Sequence, residues 1–441
     1  MKEKQIKLLL FFLILIVISP IHGMSEDIEI PSSFNPVGSG ARSLGMGGAF
    51  IAVADDATAA SWNPAGLIQL EKSELSFVIS TFSRKEDIDL GKHPEGSGQN
   101  TVSELDLNYF STALPFKLWN RHMVISLSYQ HIYDFNRDWQ FNTINIEDVL
   151  VDKMIANRHT DYIQNGRLSA IGLAYSFQVN PKLSAGITLN IWNDDLTHNH
   201  WEQKYVSVET IHFEQGSFPD DKQEIYRNEH YSFNGINANI GMLWNINYKL
   251  SLGFVLKMPF RANLDHHISE IRPGGQSIDE SYNEDLDMPM SYGVGVAYRF
   301  TDNFNASAAI SMTQWDDFVH IMEDGTQKNP ISGENLTESE LSSASQFRMG
   351  VEYRLVNQKY GVIIPIRSGF FYDPAPSEGN PDDIYGISIG FGLSTQQFSL
   401  DVAYQYRYGN DIGQSSLKMW DFAQDMNEHI CYLSMIYYFQ K

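Results

Sequence analysis

The 441-residue chain has a single cysteine, Cys431, so an internal disulfide framework and a cysteine-ligated metal cluster are both excluded. It is short of positive charge. Against 54 Asp and Glu stand 31 Lys and Arg, a formal net charge of −23, which makes nucleic acid an unfavourable partner. Beyond residue 18 there is no run of about 18 apolar residues, the least that a bilayer-spanning helix needs. A membrane protein written this way can cross only as a closed barrel. No Pro/Ser-rich linker or composition break divides the chain, so one large architecture is expected rather than two or three domains.

What is present begins with Lys2, Lys4 and Lys7 ahead of an apolar run from Leu8 to Ile18, then Ser19, Pro20 and a small residue, Gly23. This reads as a secretory signal peptide over residues 1–23, too short to span a membrane. Its removal takes away three lysines and one acidic residue and leaves a mature net charge of −25. No cysteine follows the run, so lipid attachment there is excluded.

The rest is dominated by alternation. Phe398, Leu400, Val402, Tyr404, Tyr406 and Tyr408 alternate with Ser399, Asp401, Ala403, Gln405 and Arg407, a strand with one apolar and one polar face. The pattern recurs at Phe347–Leu355 opposite Arg348, Gly350, Glu352 and Arg354, at Tyr385–Leu393 opposite Gly386, Ser388, Gly390 and Gly392, and at Leu183–Ile191. Segments of this kind start near residues 73, 104, 122, 167, 182, 232, 249, 289, 304, 345, 360, 384, 397 and 429. Fourteen is an even number, as single-chain bacterial barrels require.

The joins between segments alternate in length. Six are turn-like, such as Trp119-Asn120, Asn180-Pro181 and Asn247-Tyr248, and seven are long, over residues 83–102, 134–164, 194–230, 261–287, 315–343, 373–383 and 409–428. Short periplasmic turns and long external loops define an outer-membrane barrel. A soluble sandwich or propeller also alternates apolar and polar residues, but it does not confine its long connections to one end. The expected fold is therefore all-β, a fourteen-stranded antiparallel transmembrane barrel over residues 73–441.

Residues 24–72 precede the first strand and include "GARSLGMGGAFIAVADDATAASWNPAGL". Gly45, Gly47, Gly48 and the alanines from Ala49 to Ala60 permit close backbone packing, and Asn63-Pro64 favours a turn just before the barrel. Leu44, Met46, Phe50, Ile51, Val53 and Trp62 are apolar anchors that a free polar tail would not carry. A fourteen-stranded wall encloses a wider space than side chains alone fill. The leader is expected to fold inward as a lumenal hatch, with Gly45, Gly47, Gly48, Phe50, Trp62, Asn63 and Pro64 as its gating residues.

"GMGGAFIAVADDATAASWNPAGL" resembles the N-terminal hatch segment of the FadL/TodX family of outer-membrane transporters for long-chain fatty acids and other hydrophobic compounds. "MPMSYGVGVAYRFTDNFNASAAISMTQWDDF" (288–318) is similar to that family's Leu-Pro-containing strand pair ending in Trp-x-x-Phe. "IRSGFFYDPAP" (366–376) is similar to its Arg-x-Gly-Tyr-x-Tyr-Asp-x-x-Pro strand and loop. The resemblance spans nearly all of the mature chain. It implies a fourteen-stranded barrel in the bacterial outer membrane, a lumenal hatch, and passive uptake of a hydrophobic ligand with lateral exit toward the bilayer. The hatch segment is shared with a wider group of barrels, including those that serve type IX secretion, so the alternative is an interaction or secretion-assembly barrel that passes no small molecule. The family's terminal aromatic is Phe439 here, followed by Gln440 and Lys441, at the end that the barrel assembly machinery reads.

Other chemistry is weak. His198, His200 and Glu202, and the pair His266-His267, have spacings that could hold a metal, but in acidic external loops they read as solvated residues. The Gly-rich leader lacks a preceding strand and a P-loop Lys-Ser/Thr, and no G-x-S-x-G or H-E-x-x-H occurs, so neither enzymatic activity nor a cofactor is expected. In "NIEDVLVDKMIANRH" of the second long loop, Ile146, Val149, Leu150 and Met154 recur at helical spacing, which predicts an amphipathic helix whose apolar face either captures hydrophobic ligand or packs on neighbouring loops.

Overall fold

In the computed structural model the described residues are 38–149 and 152–439. The signal segment 1–23, residues 24–37 of the leader, Leu150, Val151, Gln440 and Lys441 lie outside them. Twenty strands follow the leader among the described residues: β1 (Glu74–Leu90), β2 (Gly98–Leu118), β3 (Arg121–Asp134), β4 (Arg137–Val149), β5 (Asp152–Asn180), β6 (Leu183–Trp192), β7 (His200–Phe213), β8 (Asp221–Asn245), β9 (Leu250–Lys257) and β10 (Phe260–Arg272). The second ten are β11 (Gln276–Met288), β12 (Ser291–Arg299), β13 (Phe304–Thr313), β14 (Val319–Ile321), β15 (Gln327–Lys328), β16 (Ala344–Asn357), β17 (Val362–Tyr372), β18 (Ile384–Ser394), β19 (Phe398–Ile412) and β20 (Phe422–Tyr438).

Fourteen of them close an antiparallel ring. Its order is β1, β2, β3, β5, β6, β8, β9, β12, β13, β16, β17, β18, β19 and β20, and β20 pairs back onto β1 from Glu74↔Tyr438 to Leu90↔Phe422. The alternation read from the sequence sets which way each strand faces. Val402 is 49% exposed on the outer surface, whereas Ala403 is 2% exposed and points inward beside Asp401 and Gln405. A charge on the lipid face at the midplane costs roughly 2–4 kcal/mol. Val402→Arg is therefore expected to impair assembly, read as loss of heat-modifiable mobility, more than Ala403→Arg; equal mobility would contradict this facing.

The short turns are closed by local chemistry. Trp119 and Asn120 both adopt left-handed conformations (φ 49° and 62°), the geometry that suits the twist of a two-residue hairpin. Asn180, Asn247, Thr301 and Thr395 each accept hydrogen bonds with a side-chain oxygen from two backbone N–H groups two and three residues on. Asn and Thr at these corners thus pin the register of the strands on either side.

The long connections differ from the expectation of irregular loops: most of them are strand. β4 pairs with the outer half of β5, which pairs with β7, then β8, β10, β11, β14 and β15 in turn, so an extension of the sheet rises from the external rim. This is why β5 and β8 begin well before the starts read from alternation alone; β2 and β20 do so because they pair along the length of β1. The extension leaves the wall at paired Met-Pro steps: Lys257↔Ser291 is the last β9–β12 pair, Phe260↔Met288 the first β10–β11 pair, and Met258-Pro259 and Pro289-Met290 lie between. Neither proline can donate to the ladder.

A stack of rings holds the extension together. Phe135, Trp201, Tyr231 and His266 lie face to face with successive centroid separations of 4.6, 4.8 and 4.1 Å. Beside it, Glu284 on β11 lies 2.9 Å from His320 Nε2 and 3.4 Å from His266 Nδ1. Burial alone would raise the pKa of Glu284, but the two histidines outweigh it and hold the carboxyl at about 2, below the ordinary 4.5. A depressed carboxyl stabilises above its unfolded pKa and loses that contribution as pH falls through the folded value. The extension is expected to lose about 2 kcal/mol between pH 4.5 and 2, a loss that Glu284→Gln abolishes. Pulse proteolysis of the extension against pH reads it, and identical profiles for both proteins would contradict it.

The expected helix around residue 146 is instead the β4–β5 hairpin, paired from Arg137↔Gln164 to Val149↔Asp152. β-branched Thr143, Ile144, Ile146 and Val149 favour strand over helix, and pairing on both sides of β5 decides it. Val149 and Met154 are buried against Ile211, Phe213 and Phe218.

Candidate functional site

The described leader runs from Gly38 to the start of β1 and is hydrogen-bonded to inward-facing side chains around the ring. Ala41 N–H donates to Ser434, Gly47 N–H to Ser388, and the carbonyls of Ala49, Ala57, Ala60 and Ala65 accept from Ser307, Tyr109, Thr188 and Ser184. Only two turns of α-helix, Ala41–Gly45 and Ala59–Trp62, and the 3₁₀ turn Pro64–Gln69 interrupt an otherwise irregular path. Wall hydroxyls therefore take over the backbone pairing that helix or sheet would supply.

Small residues on both partners make this approach possible. A Cβ placed on wall residues Gly350 or Gly369 would lie 2.3 Å from Met46 O or 2.2 Å from Gly47 N. On the opposite wall, Gly186, Gly241 and Gly253 meet Pro64, Asn63 and Ile51 at 2.1–2.5 Å in the same test. Within the leader, Gly45 rests on the backbone of Gly390, and Gly47 and Gly48 take positive φ (64° and 74°), a bend that other residues resist. Phe50 is fully buried and meets Trp62 edge-on at 6.0 Å. The Trp62 indole lies over Gly38 and Gly48 and donates to Ser39 O at 2.9 Å. Asn63 caps the 3₁₀ turn through Ala65 N–H, with Pro64 at its first position, and its amide donates to Ile51 O (2.8 Å) and to Met242 O of the wall (3.1 Å).

The structure thus brings Gly45, Gly47, Gly48, Phe50, Trp62, Asn63 and Pro64 together on one packed segment. The four residues named for ligand capture are not brought together. Ile146 is 59% exposed, Val149 and Met154 are buried in the extension, and Leu150 lies outside the described residues.

Sequence reasoning missed the charges that tie leader to wall. Arg42 of the leader bonds Glu352 (3.0 Å) and also Asp55, while Glu352 accepts from Arg367 (2.7 Å) and Arg367 pairs with Asp401 (2.5 Å). A second chain of alternating charge runs Glu86, Arg84, Glu428, Arg407, Asp373, Arg348, at separations of 2.8, 3.7, 2.8, 3.4 and 3.0 Å. Arg348 ends it by donating to Gly47 O of the leader at 3.3 Å. Arg367, Gly369 and Asp373 all belong to "IRSGFFYDPAP", so that motif is the stretch of wall on which the leader docks.

Above the leader lies a cavity of about 1340 Å³, counted to its open mouth, floored by Leu44, Ile51 and Trp62. A second, of about 760 Å³, shares Trp62, Lys257, Ser291 and Thr313 with it and is lined by Ile132, Trp192, Met258, Phe260 and Met288. Lys257, at the outer end of β9, faces both. Among the described residues it has no carboxylate within ion-pair distance, in a lumen where the arginines are paired. Among those residues no group of three or more His, Cys, Asp or Glu is placed to hold a metal ion.

A closed ring of fourteen strands with an apolar outer face, the N-terminal leader packed on its inner wall beside a ligand-sized cavity, defines the class of outer-membrane transport barrels. The chain belongs to the OMPP1/FadL/TodX family of outer membrane protein transport proteins, whose model matches residues 38–421. Members of this family are outer-membrane channels for hydrophobic compounds and not enzymes. Solved structures share the fold. A Pseudomonas aeruginosa FadL homologue superposes with a TM-score of 0.64 at 16% identity, over 94% of this chain and 100% of that one. The Pseudomonas putida toluene transporter TodX gives 0.54 at 11% (94% and 100%), and the Ralstonia pickettii toluene transporter TbuX 0.50 at 13% (91% and 99%). Among curated proteins, none matches the sequence.

Proposed function

We propose that this barrel passes amphipathic hydrophobic molecules, long-chain fatty acids being the class that fits, passively across the outer membrane, with the leader as its hatch. The observation that carries the reading is Lys257, an unpaired cation where a charged cavity meets an apolar one. A carboxylate there would gain a charge-assisted bond while its hydrocarbon tail fills the space between Trp192, Met258 and Phe260. A plain hydrocarbon would leave that cation unused.

Exit toward the bilayer is supported by a break in the wall ladder. Gly235, Ile236 and Asn237 of β8 lie between its pairings with β9 and with β10, beside Pro259 and the apolar cavity. Insertion by the barrel assembly machinery through β20, which Phe439 follows, completes the reading.

Lys257→Met is expected to weaken laurate binding by about tenfold, the lower end of what a hydrogen bond to a charged group contributes, while dodecanol binding stays within about twofold. Tryptophan fluorescence titration of the detergent-solubilised barrel measures both. Equal loss for acid and alcohol, or none for either, would contradict the role of Lys257.

A further inference from the structure

The short turns carry a charge of the opposite sign to the rest of the molecule. Over these turns and the residue or two flanking them, six Lys and Arg stand against one acidic residue, Asp302, in a chain whose overall charge is −23. Lys117, Lys182, Lys249, Arg299 and Lys359 are among them, and none has a carboxylate partner among the described residues. On the external side, by contrast, exposed bases such as Arg261 and Lys418 are paired, Arg261 with Asp287 and Lys418 with Glu334. Gathering unpaired like charges on one rim is unfavourable unless an anion offsets it.

The rim also has a fixed depth. Trp119, Tyr248, Phe300 and Tyr360 are exposed beside these bases, and Lys249 and Lys359 lie over the rings of Tyr248 and Tyr360 at 5.6 and 5.4 Å. Exposed aromatic rings beside strand ends mark the membrane–water interface. Cations at that level face the phosphodiester layer of the periplasmic leaflet.

We propose that this basic, aromatic rim is a binding surface for anionic phospholipid headgroups of the periplasmic leaflet, recognised through their phosphate and net negative charge, and that it seats the barrel in the bilayer. Long-range attraction from several cations falls off within a Debye length, so the preference must be sensitive to salt. The proposal is independent of what the lumen carries.

The test uses the full mature chain in mixed bilayer discs of phosphatidylcholine and phosphatidylglycerol, with native mass spectrometry of co-extracted lipid. The expected result is an enrichment of phosphatidylglycerol of about fivefold or more at low salt, reduced at high salt and not displaced by inorganic phosphate. Lys117→Gln, Lys182→Gln, Lys249→Gln and Lys359→Gln combined should bring the ratio to about one, whereas Arg261→Gln on the external side leaves it unchanged. These bases lie on exposed turns and make no ion pair, and the wild-type comparison stands even if the combined variant assembles poorly. Equal retention of the two lipids by the wild type, enrichment surviving in a folded combined variant, or displacement by free phosphate would each overturn the proposal.

Discussion

Removal of residues 40–62 is expected to turn the barrel into an open pore. In planar bilayers the conductance to small hydrophilic ions should rise at least about tenfold over the intact protein, because a fourteen-stranded wall is wider than the eight-stranded case that side chains fill. Nothing in the ring depends on those residues for its backbone pairing: β1 to β20 close on one another, and the leader is held by side-chain hydroxyls, by Arg348 and by Glu352. Heat-modifiable mobility of the deleted form should therefore stay close to that of the intact protein. Arg367 would keep Glu352 paired after Arg42 is gone, which spares the wall an isolated buried charge.

The second large effect is expected from Gly369→Val. The strand itself accepts a β-branched residue, and a side chain at this position points into the lumen. Its Cβ would lie 2.2 Å from Gly47 N and 2.4 Å from Met46 C, which are backbone atoms that cannot rotate away. The leader must lift from β16, β17 and β18 or the wall must deform, an overpacking cost of about 1–3 kcal/mol. Since about 1.4 kcal/mol is a tenfold change in an equilibrium, a marginally held leader should shift measurably toward an undocked state. Protease cleavage near Gly47 should become faster and conductance should rise, with assembly retained. Gly98→Val is the control, because a Cβ there meets nothing within 4 Å. If both variants behave alike, the wall glycines do not form the docking track.

Much of the fold was legible because a barrel is written in local pattern. Period-two alternation sets which way Val402 and Ala403 face, and Asn180, Asn247, Thr301 and Thr395 announce their corners through hydrogen bonds spanning two or three residues. The unread parts are those in which partners are far apart. Gly350, Gly386 and Gly390 were visible on the polar faces of their strands, but only the folded chain shows Gly350 receiving Met46 and Gly390 receiving Gly45. Arg42 and Glu352 are 310 positions apart, and no spacing rule links them. The 146–154 stretch misled for a related reason. Helical spacing of four apolar residues and burial of alternate residues in a hairpin overlap over so short a span, and pairing with β7 through β5 decided between them.

Lys257 was silent for another reason. It sits at the end of a short apolar strand, where a lysine ordinarily marks the exit to solvent, and its place between two cavities appears only when β9 is set against β12 and the leader. The site's chemistry is thus carried by an ordinary residue in an unusual position.

The most direct test of the central claim, that a hydrophobic acid passes through this lumen, is native mass spectrometry of the wild-type barrel extracted in mild detergent. The expected result is a retained ligand whose mass is that of a long-chain monocarboxylic acid, lost when Lys257 is replaced by Met. A lumen that holds no lipid, in a barrel that instead co-purifies with secretion components, would contradict it.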